Sequence, residues 1–230
     1  MVNKSVIAAA AAAAAALLPG CSNIASGSPL ASAQPLMREV PASEISTTAT
    51  STLAPPVGIG SGTVLRFEDG AGCRLGWVMP DGLGGVVGLT AGHCGPPSTG
   101  VGGPVTADGV VIGAADYSQT NRTYGDVAEI RFDPILDVPV SPVAGVITAA
   151  EMGKLPGGTP VCTLRGCAPL RASGRNYATT WFDREVIIDG DSGGPVWLTD
   201  VQGRPVIAGT VDETQGRFFD LALASPGELP

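Results

Sequence analysis

Short runs of alternating or wholly apolar residues, separated by glycine and proline, make up most of the chain from residue 57 onward. Such runs, bounded by turn-forming residues, are typical of β-strands, and no helical period lasts longer than a turn or two. The first set of strands is predicted at residues 62–67, 72–79, 85–90, 109–115 and 125–132. A second set is predicted at residues 144–149, 159–164, 168–172, 176–181, 185–188, 195–198, 205–211 and 217–224.

The two strand sets are joined by a proline-rich connector at residues 134–142. This arrangement favours two small antiparallel barrels, because closure of a sheet leaves no exposed strand edges. We expect the first barrel at about residues 57–133 and the second at about residues 143–225, within one domain at residues 57–230. Clefts usually form where two such halves meet, so a functional site is expected between the barrels.

The first 21 residues have the pattern of an export signal. Lys4 precedes an apolar run at residues 6–18, which is shorter than the about 20 residues that span a bilayer. Leu18 and Gly20 before Cys21 resemble a bacterial lipoprotein signal, in which the cysteine is acylated. The alternative is an ordinary signal peptide that is cut elsewhere, for instance after Ala33. We therefore expect an exported protein, either secreted or held in the cell envelope by a lipid on Cys21, with no other membrane contact.

Residues 22–56 are rich in Ser, Ala, Thr and Pro and have neither the strand period nor the helix period. Such a composition predicts a disordered tether. The segment is also too short for a folded pro-domain, since chains below about 40 residues seldom fold without help. The folded domain is accordingly expected to begin near residue 57.

Charge and composition exclude several classes of partner. The chain has only 13 Lys and Arg residues and a net charge of −8, so it lacks the basic face that nucleic-acid binding needs. It has 1 histidine, which leaves none to spare for a metal site, and we expect neither a metal nor a cofactor.

Cysteine parity supports export and lipidation. An exported protein with 5 cysteines has one thiol to explain, and a lipid on Cys21 would explain it. The other cysteines allow three pairings, and oxidising compartments favour disulfides. Proximity in sequence favours Cys73 with Cys94 and Cys162 with Cys167.

Two motifs carry the candidate chemistry. His93 stands in Thr-Ala-Gly-His-Cys at residues 90–94, and Ser192 stands in Gly-Asp-Ser-Gly-Gly-Pro at residues 190–195. Histidine is the usual proton carrier at neutral pH, and a serine hydroxyl needs such a base to become a nucleophile. The glycines would let the N–H groups of Gly190 and Ser192 face a developing oxyanion. A lone histidine is often structural and Gly-Gly-Pro is often only a turn, but together the motifs favour nucleophilic catalysis.

A third member is needed to hold the imidazole in the right tautomer. Asp126 is the best candidate, because alternation along residues 125–132 places it on the inward face, where a carboxylate requires a partner. Asp116, Asp133 and Asp137 are weaker candidates, since they lie in turn-like surroundings where solvated aspartates are common.

In this order, the histidine motif, Asp126-Val-Ala and the serine motif resemble those of the chymotrypsin-like (trypsin-fold) serine proteases, most closely the small secreted bacterial members. The resemblance covers roughly residues 57–224. It implies an all-β fold of two six-stranded antiparallel β-barrels with the active site between them. It also implies a Cys73–Cys94 disulfide and peptide-bond hydrolysis through a Ser192 acyl-enzyme. The expected partner is a protein or peptide substrate, and we expect a monomer.

The resemblance also assigns a role to Asp191. In the family, the aspartate before the nucleophile is buried and neutralised by a freshly cut N-terminus or by an internal arginine, and this pair shapes the oxyanion loop. Arg165, between Cys162 and Cys167, is the first candidate, and an internal arginine would make proteolytic activation unnecessary. The alternatives are Arg171, Arg175 and Arg184.

The predicted substrate pocket departs from the family pattern. Counting back six residues from the nucleophile gives Val186, which predicts an apolar wall, although Asp189 lies close by. Residues 209–214 stand where the family carries a Ser-x-Gly segment, and we assign Asp212, which lies among them, to the pocket as well. Asp212 would also bring a second carboxylate near Asp126, which raises the cost of keeping both ionised.

Three functions are compatible with these residues. The first is a serine endopeptidase in which His93 is the base, Asp126 orients it and Ser192 is the nucleophile. The second is a surface binding protein that keeps the fold with little activity, which the altered residues 212–214 would favour. The third is an esterase, because the same triad performs any acyl transfer.

Overall fold

The computed structural model describes most of the domain, together with a segment that precedes it. The described residues are 37–48, 53, 58–68, 70, 72–94, 103–121, 125–170, 190–213 and 217–219. Of these, the side chains of residues 116–121, 125, 126, 149, 213 and 217–219 are outside the description. The predicted export signal, the predicted lipidation site Cys21 and the predicted pocket residues Val186 and Asp189 all lie outside the described residues.

The first half of the domain is an antiparallel sheet of seven described strands. The strands are β1 (Val64–Arg66), β2 (Gly72–Arg74), β3 (Trp77–Pro80), β4 (Val86–Thr90), β5 (Pro104–Ala107), β6 (Val110–Asn121) and β7 (Gly125–Phe132). Their order in the sheet is β2-β1-β5-β6-β7-β4-β3. The turn that follows β4 is a short 3-10 helix at Gly92–Cys94. Thr90 of β4 lies opposite Ala128 of β7, which places the histidine motif beside the strand that contains Asp126.

The second half is an antiparallel sheet of five described strands. The strands are β8 (Pro160–Thr163), β9 (Gly166–Pro169), β10 (Pro195–Thr199), β11 (Pro205–Glu213) and β12 (Arg217–Phe219). Their order in the sheet is β12-β11-β10-β8-β9. A short helix, α1 (Ala149–Met152), precedes the sheet. No helix in the described ranges is long and apolar enough to cross a membrane.

The all-β class is confirmed, and two antiparallel sheets in sequence order are consistent with a double barrel. The described strands divide seven and five rather than six and six. The predicted run 72–79 breaks into two strands at Gly76, whose N–H donates to Leu89 O at 2.7 Å. The pattern missed β5, which begins at Pro104, a residue that strands tolerate in first position. The predicted strands at 176–181 and 185–188 lie outside the described residues.

The predicted tether at residues 22–56 is wrong for residues 37–48, which pack against the second sheet. Val40 is fully buried, and its N–H donates to Val146 O at 2.8 Å. Farther along the segment, the N–H of Ser46 donates to Thr199 O at 2.8 Å. The anchoring apolar residues are too few to produce a local period, so composition alone suggested disorder. The ordered domain therefore includes residues well before 57.

A third apolar cluster joins the two sheets. Trp77 and Leu89 of the first sheet pack with Trp197 and Ile207 of the second, and all of these side chains are buried. The indole N–H of Trp77 donates to Gly209 O at 2.7 Å, so its polar atom is also satisfied across the junction. Buried apolar side chains from both sheets therefore lie at the junction that carries the candidate site.

Asp200 anchors the turn between β10 and β11. Its Oδ1 accepts the N–H of Gln202 at 3.0 Å and of Arg204 at 2.8 Å, while Oδ2 accepts Arg204 Nε at 2.8 Å. Burial favours the neutral acid and would raise the pKa of Asp200, but the hydrogen bonds and charge of Arg204 and the Gln202 N–H outweigh it. The pKa of Asp200 is therefore held below its ordinary value.

This shift predicts an acid-sensitive contribution to stability. A carboxyl whose pKa is depressed by folding stabilises the protein above its unfolded pKa, near pH 4, and the contribution is lost as the pH falls through the folded value. We expect Asp200→Asn to lower the free energy of unfolding by about 1–2 kcal/mol at pH 7, and the difference to shrink below about pH 4. Thermal unfolding of both proteins between pH 2 and 7 checks this, and a constant difference across the range would contradict it.

Candidate active site

His93 is presented by a turn that is fixed on both sides. The 3-10 helix Gly92–Cys94 is closed by a hydrogen bond from Cys94 N–H to Ala91 O at 3.1 Å. Cys94 is joined to Cys73 by a disulfide, the pairing favoured from sequence. The His93 side chain is 41% exposed, so the imidazole is accessible from outside the protein.

The same turn forms a cluster of possible metal ligands. A ring nitrogen of His93 lies within 4.8 Å of the sulfur atoms of Cys73 and Cys94. Metal binding by cysteine requires the thiolate, and both sulfurs are consumed in the disulfide. This cluster therefore offers no metal site while the disulfide is intact.

The Ser192 loop is held by backbone hydrogen bonds to both halves of the domain. From the first half, the N–H of Arg74 donates to Ser192 O at 2.8 Å. In the second half, Gly193 N–H donates to Val211 O at 2.7 Å, and Val211 N–H donates to Gly194 O at 2.9 Å. The nucleophile candidate is thus fixed between residue 74, next to the disulfide, and strand β11.

Gly193 brings the serine loop directly against the histidine turn. A Cβ atom at Gly193 would lie 2.9 Å from Ala91 N and 2.5 Å from Arg74 O, and would also overlap Thr90 Oγ1. Only glycine fits such an approach, and the φ of 78° at Gly193 also favours glycine. The two sequence motifs are therefore in contact, one residue after Ser192 and two residues before His93.

Gly190 and Gly193 form a matched pair for testing this contact. Both have positive φ, but a Cβ atom at Gly190 meets nothing within 4 Å. We expect Gly190→Ala to cost about 1–2 kcal/mol of stability from backbone strain alone. Gly193→Ala should cost about 1–3 kcal/mol more, because backbone atoms of the histidine turn must move. Urea unfolding of the two variants measures the difference, and equal costs would contradict the close approach.

The candidate oxyanion-hole amides belong to Gly190 and Ser192. Within the described part of the chain, neither N–H donates to a backbone carbonyl. The φ of 87° at Gly190 gives this loop a conformation that residues with side chains rarely adopt. A tight Gly194 N–H to Asp191 O bond at 2.9 Å closes the loop around Ser192.

Asp191 is buried and binds two arginines. Arg165 donates to the carboxylate through Nε and also through Nη2, the latter at 3.1 Å from Oδ1. This is the pair expected from sequence, and Asp191 holds the pKa of Arg165 above its ordinary value. Arg165 lies in the β8–β9 turn, which the disulfide between Cys162 and Cys167 closes. The disulfide therefore restrains the backbone of the turn from which Arg165 reaches Asp191.

Arg74 is the second partner of Asp191 and was not identified from the sequence. Its Nε donates to Asp191 Oδ1 at 3.2 Å, and its Nη1 donates to Gly62 O at 3.0 Å. Arg74 follows Cys73 at the end of β2, so the first sheet also contributes a cation to the loop of the second. The Asp191 carboxylate is consequently held from both halves of the domain.

Asp212, which the sequence assigns to the substrate pocket, lies next to His93 in the structure. Its Oδ1 lies 3.8 Å from Nδ1 of His93, and its side chain is only 14% exposed. Asp212 follows Val211, whose backbone binds the serine loop, and this geometry places it beside the catalytic candidate. Asp126 lies in β7, and its side chain is outside the described part of the structure.

Comparison with known proteins gives likeness in structure alone. No family model matches the chain, and no curated protein matches it. The structure of Nocardiopsis protease (NAPase) is similar, with 21% identity, a TM-score of 0.41, and coverage of 70% of this chain and 90% of that one. The structure of Thermobifida fusca protease A (TFPA) has 18% identity, a TM-score of 0.39, and coverage of 70% and 89%. The chain is thus similar in structure to two solved proteases.

Proposed function

We propose that the chain is a serine endopeptidase of the chymotrypsin-like type, with Ser192 as nucleophile and His93 as general base. The observation that carries the proposal is the contact between the two motifs at Gly193 and Ala91, which lie far apart in sequence. A turn that exposes a lone histidine and a glycine-rich loop that presents a serine have no structural need to meet. The contact between the two motifs, beside the carboxylate of Asp212, supports nucleophilic catalysis.

In the proposed reaction, His93 Nε2 takes the proton of Ser192 Oγ as that oxygen attacks the carbonyl carbon of the scissile peptide bond. The carbonyl oxygen becomes an oxyanion, and the N–H groups of Gly190 and Ser192 stabilise it. Collapse of this intermediate breaks the C–N bond, and His93 returns the proton to the leaving amine. Water, deprotonated by His93, then hydrolyses the acyl-enzyme and regenerates Ser192. Asp126 is the proposed carboxylate that orients His93.

The proposed role of Asp191 is to hold the oxyanion loop in its working shape without proteolytic activation. A zymogen of this type would need a new positive N-terminus to pair with the carboxylate. The carboxylate of Asp191 already has Arg165 and Arg74 as partners, and its side chain is 8% exposed. These contacts support a protein that is active as folded.

The proposed substrates are proteins or peptides outside the cell. Two disulfides support an oxidising compartment, and lipid anchoring through Cys21 remains part of the proposal. The substrate pocket is also predicted to prefer an apolar side chain of the substrate, because Val186 would line it. Asp189 is predicted to lie close by.

A peptide-library digest separates this function from its rivals. The purified full chain is incubated with a diverse peptide pool, and cleavage sites are read by mass spectrometry beside the Ser192→Ala variant. Cleavage by the parent protein alone supports the endopeptidase. If small esters are hydrolysed but no peptide is cut, the esterase is favoured, and if neither reacts, the binding protein is favoured.

A further inference from the structure

Asp212 lies at the nitrogen of His93 that does not take the proton from serine. If Nε2 is the base, Nδ1 must keep its hydrogen, and a carboxylate near Nδ1 stabilises that tautomer and the cation formed during the reaction. The separation of 3.8 Å between Asp212 Oδ1 and His93 Nδ1 is that of an ion pair. The Asp212 side chain is 14% exposed and that of His93 is 41% exposed, so water screens this attraction in part.

The backbone holds Asp212 in this position by a β-bulge. Along β11 and β12, Val211 lies opposite Phe218 and Glu213 lies opposite Arg217, so Asp212 is the extra residue on β11. A bulge turns a side chain away from its regular direction, and bulges are frequent beside active sites. The carboxylate is therefore directed by the strand itself rather than by a flexible loop.

The same segment holds the serine loop. Val211 donates its N–H to Gly194 O and accepts the N–H of Gly193, at 2.9 Å and 2.7 Å. Val211, which holds the serine loop, is thus the direct neighbour of Asp212, which lies beside His93.

We propose that Asp212 is a positioning residue for His93, acting at Nδ1 in addition to the carboxylate proposed at Asp126. The inference rests on the proposed function, since it assigns Asp212 a part in that reaction. It replaces the pocket role, in which Asp212 would act on substrate binding. A positioning residue changes turnover, whereas a pocket residue changes the affinity for substrate.

The kinetic test compares Asp212→Asn with Asp108→Asn. Both changes remove one negative charge, but Asp108 is exposed in the turn between β5 and β6. We expect Asp212→Asn to lower kcat about 10- to 100-fold with KM changed less than about threefold, and Asp108→Asn to change neither. An unchanged kcat would overturn the proposal, as would a raised KM with kcat intact. Asp212→Ser is the second variant if Asp212→Asn does not fold, with the same expectations.

A spectroscopic test keeps this proposal separate from the proposed function. The chain has 1 histidine, so a full chain prepared without a polyhistidine tag gives one pair of imidazole ¹⁵N resonances. In the Ser192→Ala background, which needs no activity, we expect Asp212→Asn to shift the Nδ1 resonance of His93 and Asp108→Asn to leave it unchanged. An unshifted Nδ1 resonance would overturn the role of Asp212 whatever the enzyme assays show. Failure of the parent protein to cleave peptides, with the shift present, would count against the proposed function alone.

Discussion

Replacing Ser192 with alanine is expected to lower kcat/KM for peptide hydrolysis about 10⁶-fold, because the variant has no oxygen to form the acyl-enzyme. The fold should be unaffected. In the described part of the chain, the backbone carbonyl of Ser192 accepts the Arg74 N–H at 2.8 Å, and alanine keeps that carbonyl. Unfolding temperatures within about 1 °C of each other would show that the loss is chemical.

His93→Ala should cause a loss of the same size, and the double variant should lose no more than either single one. Nucleophile and base act as a unit, so their effects are far from additive. The measurement is kcat/KM on a peptide identified by the library digest. Two independent losses that multiply, or a His93→Ala variant with near-normal turnover, would contradict the assignment of base and nucleophile.

Asp191→Asn is expected to lower kcat about 10²- to 10³-fold, the size of losing one oxyanion-hole donor. The amide is nearly the same shape as the carboxylate, so the change removes charge and leaves volume intact. Without that charge, the ion pairs of Arg165 and Arg74 with residue 191 are lost, while the backbone hydrogen bonds of the loop to both halves remain. The side chains of Arg165 and Arg74 are 36% and 25% exposed, so each can turn toward solvent.

The two arginines should share this role unequally. Arg165 makes two hydrogen bonds to the carboxylate and Arg74 makes one, so Arg165→Gln should cost more kcat than Arg74→Gln. Arg66→Gln, on the exposed face of β1, is the matched control and should leave kcat unchanged. A full-strength Asp191→Asn enzyme would show that the ion pair has no part in shaping the oxyanion loop. Equal losses from all three arginine variants would point to net charge instead.

The sequence predicted those site residues whose role depends on the residues next to them in the chain. His93 and Ser192 stand out because glycine, cysteine and proline around them fix a turn or a loop. Arg165, which lies between Cys162 and Cys167, was proposed from the family resemblance rather than from local chemistry. The all-β class followed from the short runs between turn formers.

Other features depend on which strands become neighbours, and local patterns do not contain that information. Arg74 looks like an ordinary strand residue until the serine loop packs on it. Asp212 faces His93 because of a bulge in the pairing of β11 with β12, and pairing register is a long-range property. Residues 37–48 look disordered because their few apolar side chains gain burial only against the second sheet.

The central claim, that His93 activates Ser192, is tested most directly by labelling with a fluorophosphonate, which reacts with an activated serine. The parent chain should take up one label, and peptide mapping should place it on Ser192. Ser192→Ala and His93→Ala should take up none. Ser61 and Ser141, whose hydroxyls lie 3.0 Å apart, are internal controls and should stay unmodified. Labelling of Ser192 that persists in His93→Ala, or no labelling of the folded parent chain, would contradict the account.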